Sequence, residues 1–393
     1  MKQLILKNKS ALMVTYGCML FEGAINVLMV ATMSMLQDHF EMSAASISTL
    51  ITIKSIGTVA TIYFSGSLSD LIGRKNIICL GSVFFMVFLI GLISTQNFYM
   101  AMFFALIGGI AHGLMDSPAI SMLIDIFGRD SGPAMSFVQV FFASGSAITS
   151  TLTSLIIKKN MNWKLIYALY AIVGIVVIAI VLTARYPKRY KGEPIDANES
   201  AKREPSFMRE GLLLACTTFL LSSSSAVINT WLPTFANQEK NMTLISSVEL
   251  LAKLQFGNIV GALLFAYILT KVHATVLLII NPLIALIGMM TIVFMPNISA
   301  LSVFVVGMVM GVLFSLALNI AGEMFPQSSG KATGFIGSAS MSAGMTTVFL
   351  TGKLYPYTGF QHLFTFVLIL LSLAICLATW FRTLYLKMIK GDL

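Results

Sequence analysis

The sequence predicts an all-α membrane protein of twelve transmembrane helices, arranged as two pseudo-symmetric six-helix bundles. Three observations carry this prediction. Of 393 residues, 57% are hydrophobic and only 10% charged, with a mean hydropathy of +0.88, more apolar surface than a soluble globule of this size can hide. The apolar residues fall into twelve segments, each long enough to cross roughly 30 Å of hydrocarbon as a helix. The chain also repeats itself. A shift of 198 residues superposes 109–144 on 307–342 without a gap, and ten of the 36 pairs are identical, including Gly109/Gly307, Gly113/Gly311, Phe127/Phe325 and Gly132/Gly330, while Asp125 falls on Glu323. Apolar composition alone does not produce matching Phe, Ser-Gly and acidic positions in a loop, so spans four and five correspond to spans ten and eleven.

In order, the segments lie at about 10–36, 46–66, 76–94, 98–126, 134–157, 163–185, 211–235, 246–269, 275–295, 299–324, 332–352 and 360–381. They are too long and too uniformly apolar for barrel strands, whose side chains alternate between lipid and lumen. Lys2, Lys7 and Lys9 before the first run imitate a signal peptide. The run extends to about Leu36 and no A-x-A site follows it, so an uncleaved first span is expected. With the N-terminus inside, 18 of the 25 Lys and Arg residues fall on the cytoplasmic side. Five lie outside (Lys158, Lys159, Lys164, Lys240, Lys353), and Lys54 and Lys253 lie within spans. The positive-inside rule then predicts both termini in the cytoplasm of a multi-pass cell-membrane protein. The polar stretch from Tyr186 to Glu210, with three prolines, reads as a cytoplasmic linker. It divides the chain into an N-terminal bundle, 1–185, the linker, 186–210, and a C-terminal bundle, 211–393. The basic cluster at Arg185–Lys191 is a topology signal or, alternatively, a contact for anionic headgroups.

Several function classes are excluded. The chain contains no Walker loop, no HExxH and no nucleophile elbow, and its four histidines are scattered, so no enzyme and no cofactor are expected. Cys18, Cys79, Cys216 and Cys376 lie in apolar runs without paired spacing, which predicts neither disulfides nor a metal site. The net charge of +9 follows topology and does not indicate nucleic acid. Asn241-Met-Thr243 matches a glycosylation sequon by chance.

Charged side chains near mid-span cost about 2.5–3.5 kcal/mol on insertion scales and therefore face a bundle interior. Glu22 lies in the first span, Lys54 in the second, and His112 and Asp116 share one face of the fourth. Together they are expected to surround a polar cavity. Protonation removes a carboxylate's charge, so Glu22 and Asp116 are candidates for proton coupling, with structural hydrogen bonding between helices as the alternative. Pro118 leaves the carbonyl of residue 114 without its helical partner beside Asp116. Lys54 reads either as an ion-pair partner of Glu22 or Asp116 or as a cation for an anionic substrate. His112 reads as a proton relay or a packed interface residue. Glu249 and Lys253, four apart, are expected to pair with each other, with Lys253 near the repeat equivalent of Lys54.

Between the second and third segments, Gly66 to Lys75 reads GSLSDLIGRK. Gly66 and Gly73 permit a sharp reversal, Asp70 suits a helix start, and Arg74 and Lys75 mark the cytoplasmic side. The pattern Gly-x-x-x-Asp-x-x-Gly-Arg-Lys between two spans resembles the signature loop of the major facilitator superfamily of transporters. With the span count, topology and half-repeat, the resemblance covers essentially the whole chain. It implies that the aspartate faces a helix of the other half beginning near Lys331, and that the basic residues pair with an acid ending the fourth span, here Asp125, to latch an outward-facing state. Arg129 and Glu323 are grouped with that latch. The second copy of the loop, near Thr270–His273, lacks the Gly-Arg-Lys pattern and is assigned no matching latch.

The resemblance also implies that spans one, four, seven and ten line the cavity. It therefore puts Tyr16, Asn26, Asn229, Trp231 and Asn319 first as substrate ligands, followed by Gln139, Gln255 and Asn258 on spans five and eight. Each reads equally as an interhelical hydrogen-bonding residue. An acid in span one with an acid in span four resembles the proton-coupled sugar symporters of the fucose type. The GLMDSPA stretch at 113–119 and GEMFPQSSGKATG at 322–334 are similar to a bacterial carrier group associated with shikimate or quinate, although Thr58 stands where that group has a basic residue. What these resemblances imply is a monomeric secondary active transporter of the bacterial cytoplasmic membrane. It takes a small-molecule substrate, a sugar or hydroxylated organic acid, in symport with protons. The alternative is proton-driven multidrug efflux, which the abundant Met and Phe would suit and which the fifth span, FFASGSAITS, does not resemble.

Overall fold

The computed structural model describes residues 8–127, 132–186, 207–269, 271–325 and 329–390. Among them every regular element is helical. The first span is α1 (Lys9–Ala31) continued by α2 (Met33–Phe40). The next five are α3 (Ala44–Ile72), α4 (Arg74–Ser94), α5 (Phe98–Phe127), α6 (Gly132–Lys158) and α7 (Lys164–Thr183). After a π-helical turn at Phe207–Gly211 come α8 (Leu212–Gln238), α9 (Leu244–Ile268) and α10 (Ala274–Phe294). The tenth span is interrupted, α11 (Ala300–Met310) giving way to α12 (Leu313–Met324). The last helix, α13 (Ser329–Lys390), has 62 residues and breaks at Gly359, where φ is 76°. A continuous helix of that length would be about 90 Å long, so the break divides it into the eleventh and twelfth spans.

Within the first six spans α3 packs on α5, α1 on α6 and α4 on α5; within the last six, α8 packs on α13 and α9 on α11. The two sets are built alike. A Cβ on Gly109 would land on the Lys54 carbonyl, and one on Gly307 on the Leu254 carbonyl; Gly57 abuts Leu106 and Gly109–Ile110, and Gly257 abuts Phe304 and Met308. Ser43 caps α3 by accepting from the Ser46 amide, as Thr243 caps α9 by accepting from Ser246. Glu41 and Asn241 precede these caps at φ 53° and 54°. The register is thus 200 residues through the first two spans of each half and 198 through the fourth and fifth. Lys54 therefore matches Leu254, one residue from Lys253.

The halves meet along α6–α9 and α3–α13. Among the described residues, the hydrogen bonds that cross between them are Thr234 Oγ1 to Met33 Sδ at 3.3 Å and Ser154 Oγ to Glu249 Oε1 at 3.4 Å. Both lie on the side away from the termini, where Gly352 also lies against the Ser48 hydroxyl and the Trp231 ring. Glu249 thus reaches across the seam; it does not form the expected ion pair with Lys253. On the termini side, Gly17, Gly334 and Gly337 have no atom within 4 Å of where a Cβ would stand. The hydrogen bonds that cross between the halves among the described residues thus gather on the far side.

Candidate functional site

A cavity of about 360 Å³ lies between the halves, adjoined by a second of about 370 Å³ that shares Asn26, Ile51, Ser55, Phe142, Ser340 and Gly344 with it. From the first half, Asn26 (α1), Lys54 and Thr58 (α3), His112 (α5) and Gln139 (α6) reach these walls. From the second half come Ser222, Ser225 and Asn229 (α8), then Gln255 and Asn258 (α9). Of the charged side chains, Lys54 is the one that lines them.

Behind His112 sits a cluster. One ligand atom each from Glu22, His112 and Asp116 lies within 4.8 Å of the others. Glu22 is wholly buried. Neither of its carboxylate oxygens has a hydrogen-bond partner, and neither has Nδ1 of His112; such groups in a low-dielectric interior are costly. The imidazole is held edge-on between Phe85 and Phe142. Lys54 is nearly buried, at 5% exposure, and its ammonium donates to the Ile25 carbonyl at 3.4 Å. Among the described residues it makes no ion pair within 4.0 Å, and it is one of the residues that line the second cavity.

The opposite wall carries an amide chain. Asn229 Nδ2 donates to the Ser225 carbonyl at 2.9 Å and its hydroxyl at 3.2 Å; Gln255 Nε2 donates to Asn229 Oδ1 at 2.9 Å; and Asn258 Nδ2 donates to Gln255 Oε1 at 2.7 Å. Asn258 stands against Gly311, where the tenth span is interrupted and where a Cβ would meet the Asn258 amide.

Three sequence candidates lie elsewhere. Trp231 is fully buried toward the far side, its indole N–H donating to Thr351 Oγ1 at 2.9 Å and its ring against Tyr355 and Phe360. It occupies the packed face of α8, opposite the cavity face. Tyr16 is spent bracing α1 to α6, donating to the Ala134 carbonyl at 3.0 Å and stacking on Phe141. Asn319 is exposed on α12 and does not line the cavity. The residues sequence reasoning missed are hydroxyls, chiefly Ser222, Ser225, Thr218 and Ser146. Their signal was the run Ser222–Ser225 inside an apolar span.

At the loop, Gly73 takes φ 95° between α3 and α4. The Arg74 guanidinium pairs with Asp125 at 2.5 Å, and Lys75 donates to the Leu182 carbonyl at 2.7 Å. This pairing lies inside the first half. Arg129 lies outside the described residues, as do the side chains at Gly66, Asp70 and Lys331 and most of the 186–210 linker. The second half, to which no matching latch is assigned, holds a different pairing at this level. Glu323, equivalent to Asp125, accepts from His273 Nε2 at 3.2 Å and from the Tyr385 hydroxyl at 3.0 Å.

The sequence model of the Major Facilitator Superfamily matches residues 12–344. The chain belongs to that superfamily. This carrier is 27% identical over 368 residues to the uncharacterized MFS-type transporter YfkL of Bacillus subtilis, covering 92% of each chain. It is 26% identical over 352 residues to the inner membrane transport protein YdiM of Escherichia coli, covering 85% of this chain and 84% of that one. Its fold is similar to a crystal structure of a bacterial homologue of the human lysosomal transporter Spinster in an inward-facing, unoccupied conformation. The TM-score is 0.77 at 12% identity, with 97% of this chain and 98% of that one covered.

Proposed function

We propose that this carrier moves a small polar metabolite, a sugar or a hydroxylated organic acid, across the cell membrane in symport with protons by alternating access. The observation that carries the reading is the unpartnered Glu22–His112–Asp116 cluster behind a polar cavity between two matched halves. Two carboxyl groups this close repel each other when both are ionised, and binding one proton relieves the repulsion. His112 lines the cavity and lies within reach of both carboxyl groups, so it can pass that proton. A proton on the pair and substrate in the cavity then bias which side is open.

The positive-inside distribution supports termini in the cytoplasm. The Arg74–Asp125 pair stiffens the inner end of the first half. A monomer suffices, because the cavity is complete within one chain. The test is uptake of radiolabelled sugars and hydroxy acids into proteoliposomes under an imposed inward proton gradient. Accumulation that Asp116→Asn abolishes supports symport; extrusion of a cationic dye without accumulation would replace it with efflux.

A further inference from the structure

We infer that the substrate is a small organic anion, its carboxylate taken by Lys54 and its remaining oxygen acceptors by N–H groups of Gln255 and Asn258. The inference rests on the carrier reading above and deepens it. Its starting point is the Ser225 carbonyl, which can only accept. The Asn229 amide that bonds it must turn its NH₂ that way, at 2.9 Å, and its Oδ1 toward Gln255. Gln255 must answer with Nε2, which leaves Oε1 for the Asn258 NH₂. One backbone carbonyl therefore sets the direction of all three amides, and this removes the usual ambiguity between amide O and N.

Asn229 spends its NH₂ on the carbonyl and hydroxyl of Ser225. Gln255 and Asn258 each spend one N–H and keep one. The Asn258 Oδ1, the free acceptor at the end of the chain, lies against Gly311. What Gln255 and Asn258 still offer on this wall is donors, beside the hydroxyls of Ser222 and Ser225. Facing it, Lys54 supplies a second set of donors and is the one Lys, Arg, Asp or Glu among the described residues lining either cavity. No Asp or Glu is among the described residues lining either cavity; Glu22 is wholly buried, and Asp116, partly exposed, lies one turn along α5 from His112. A cation would find no carboxylate on the described cavity lining, and a neutral polyol would bring Lys54 no ion pair. An anion with acceptor oxygens at its other end satisfies both walls. Because Lys54 belongs to the first half and the amides to the second, such a molecule would tie the two halves together.

The test is thermal unfolding of the purified full chain in detergent. The probes are a panel of hydroxy- and keto-monocarboxylates of three to seven carbons, each matched with its neutral polyol and its amine, gluconate with glucitol and glucosamine among them. The expected result is a raised unfolding midpoint with at least one acid and none with its neutral or amine analogue. For that acid, Lys54→Met and Gln255→Leu each weaken binding on the order of 10- to 100-fold while unfolding without probe as the native chain does. Stabilisation by a polyol or amine equal to that by its acid, or no stabilisation by any acid, overturns the anion assignment. Flux separates the two readings. An acid that binds but is not moved by a proton gradient in proteoliposomes counts against the carrier mechanism, whereas proton-driven movement of a neutral polyol counts against the anion alone.

Discussion

The two halves share a scaffold and divide the chemistry. Glu22, Lys54, His112 and Asp116 in the first half correspond, in the registers set by the glycine contacts and helix caps, to Ser222, Leu254, Met310 and Phe314 in the second. Conversely, Gln255 and Asn258 correspond to Ser55 and Thr58. Every ionisable group around the cavity belongs to one half and the linked amides belong to the other. The difference teaches that duplication supplied a common frame, and that the halves then specialised separately, one to hold ionisable groups and the other linked amides. The inner ends differ in the same sense. A nearly buried Arg74–Asp125 pair, with side chains 14% and 5% exposed, faces a His273–Glu323 pair at 40% and 49%.

The comparison breaks most decisively if the acids are not special to the first half. Asp116→Asn is expected to abolish proton-driven accumulation in proteoliposomes while leaving substrate exchange at zero gradient; loss of both would make Asp116 a structural residue. Next in size, Glu22→Ser combined with Ser222→Glu is expected to remain uncoupled, because the transplanted acid has Leu254, Met310 and Phe314 where Glu22 has Lys54, His112 and Asp116. Recovery of coupling in the double variant would show the halves to be interchangeable. Smaller again, Asn258→Leu leaves the Gln255 carbonyl without its donor. It should lower apparent affinity by roughly tenfold, the size of one lost buried hydrogen bond, without changing the pH dependence of uptake; altered pH dependence would put the amides in the proton machinery. The smallest effect is expected at the inner ends. Arg74→Ala should slow transport several-fold, and His273→Ala should change it by less than twofold, since a half-exposed pair contributes under about 1 kcal/mol. Equal rates in the two variants would erase the distinction.

Much of this was legible in the sequence, for physical reasons that also mark the limit. Charges in lipid are expensive, so Glu22, Lys54 and Asp116 announced an interior face before any coordinates. The repeat was visible where glycines let backbones touch, at Gly109 and Gly307. A serine carries almost no insertion penalty, so the hydroxyls of α8 gave no comparable signal, and only their consecutive run marked them. The interruption near Gly311 was hidden because GMVMGVLF is apolar throughout. Trp231 was misplaced because a span that lines a cavity does so with one face only. Glu249 has Lys253 four residues on, but its bond is to Ser154, a partner 95 positions away that no local pattern can reveal. His273 was passed over because it sits one place out of step with Arg74 in a loop whose glycines are gone.

The far-side seam has one more consequence. It is fastened by a hydroxyl on a carboxylate and a hydroxyl on a thioether, with the rest of the closure supplied by side-chain fit. Dissolved ions weaken attraction between opposite charges and leave such contacts almost untouched. An unloaded carrier of this build should swing at the same rate in dilute buffer as in brine.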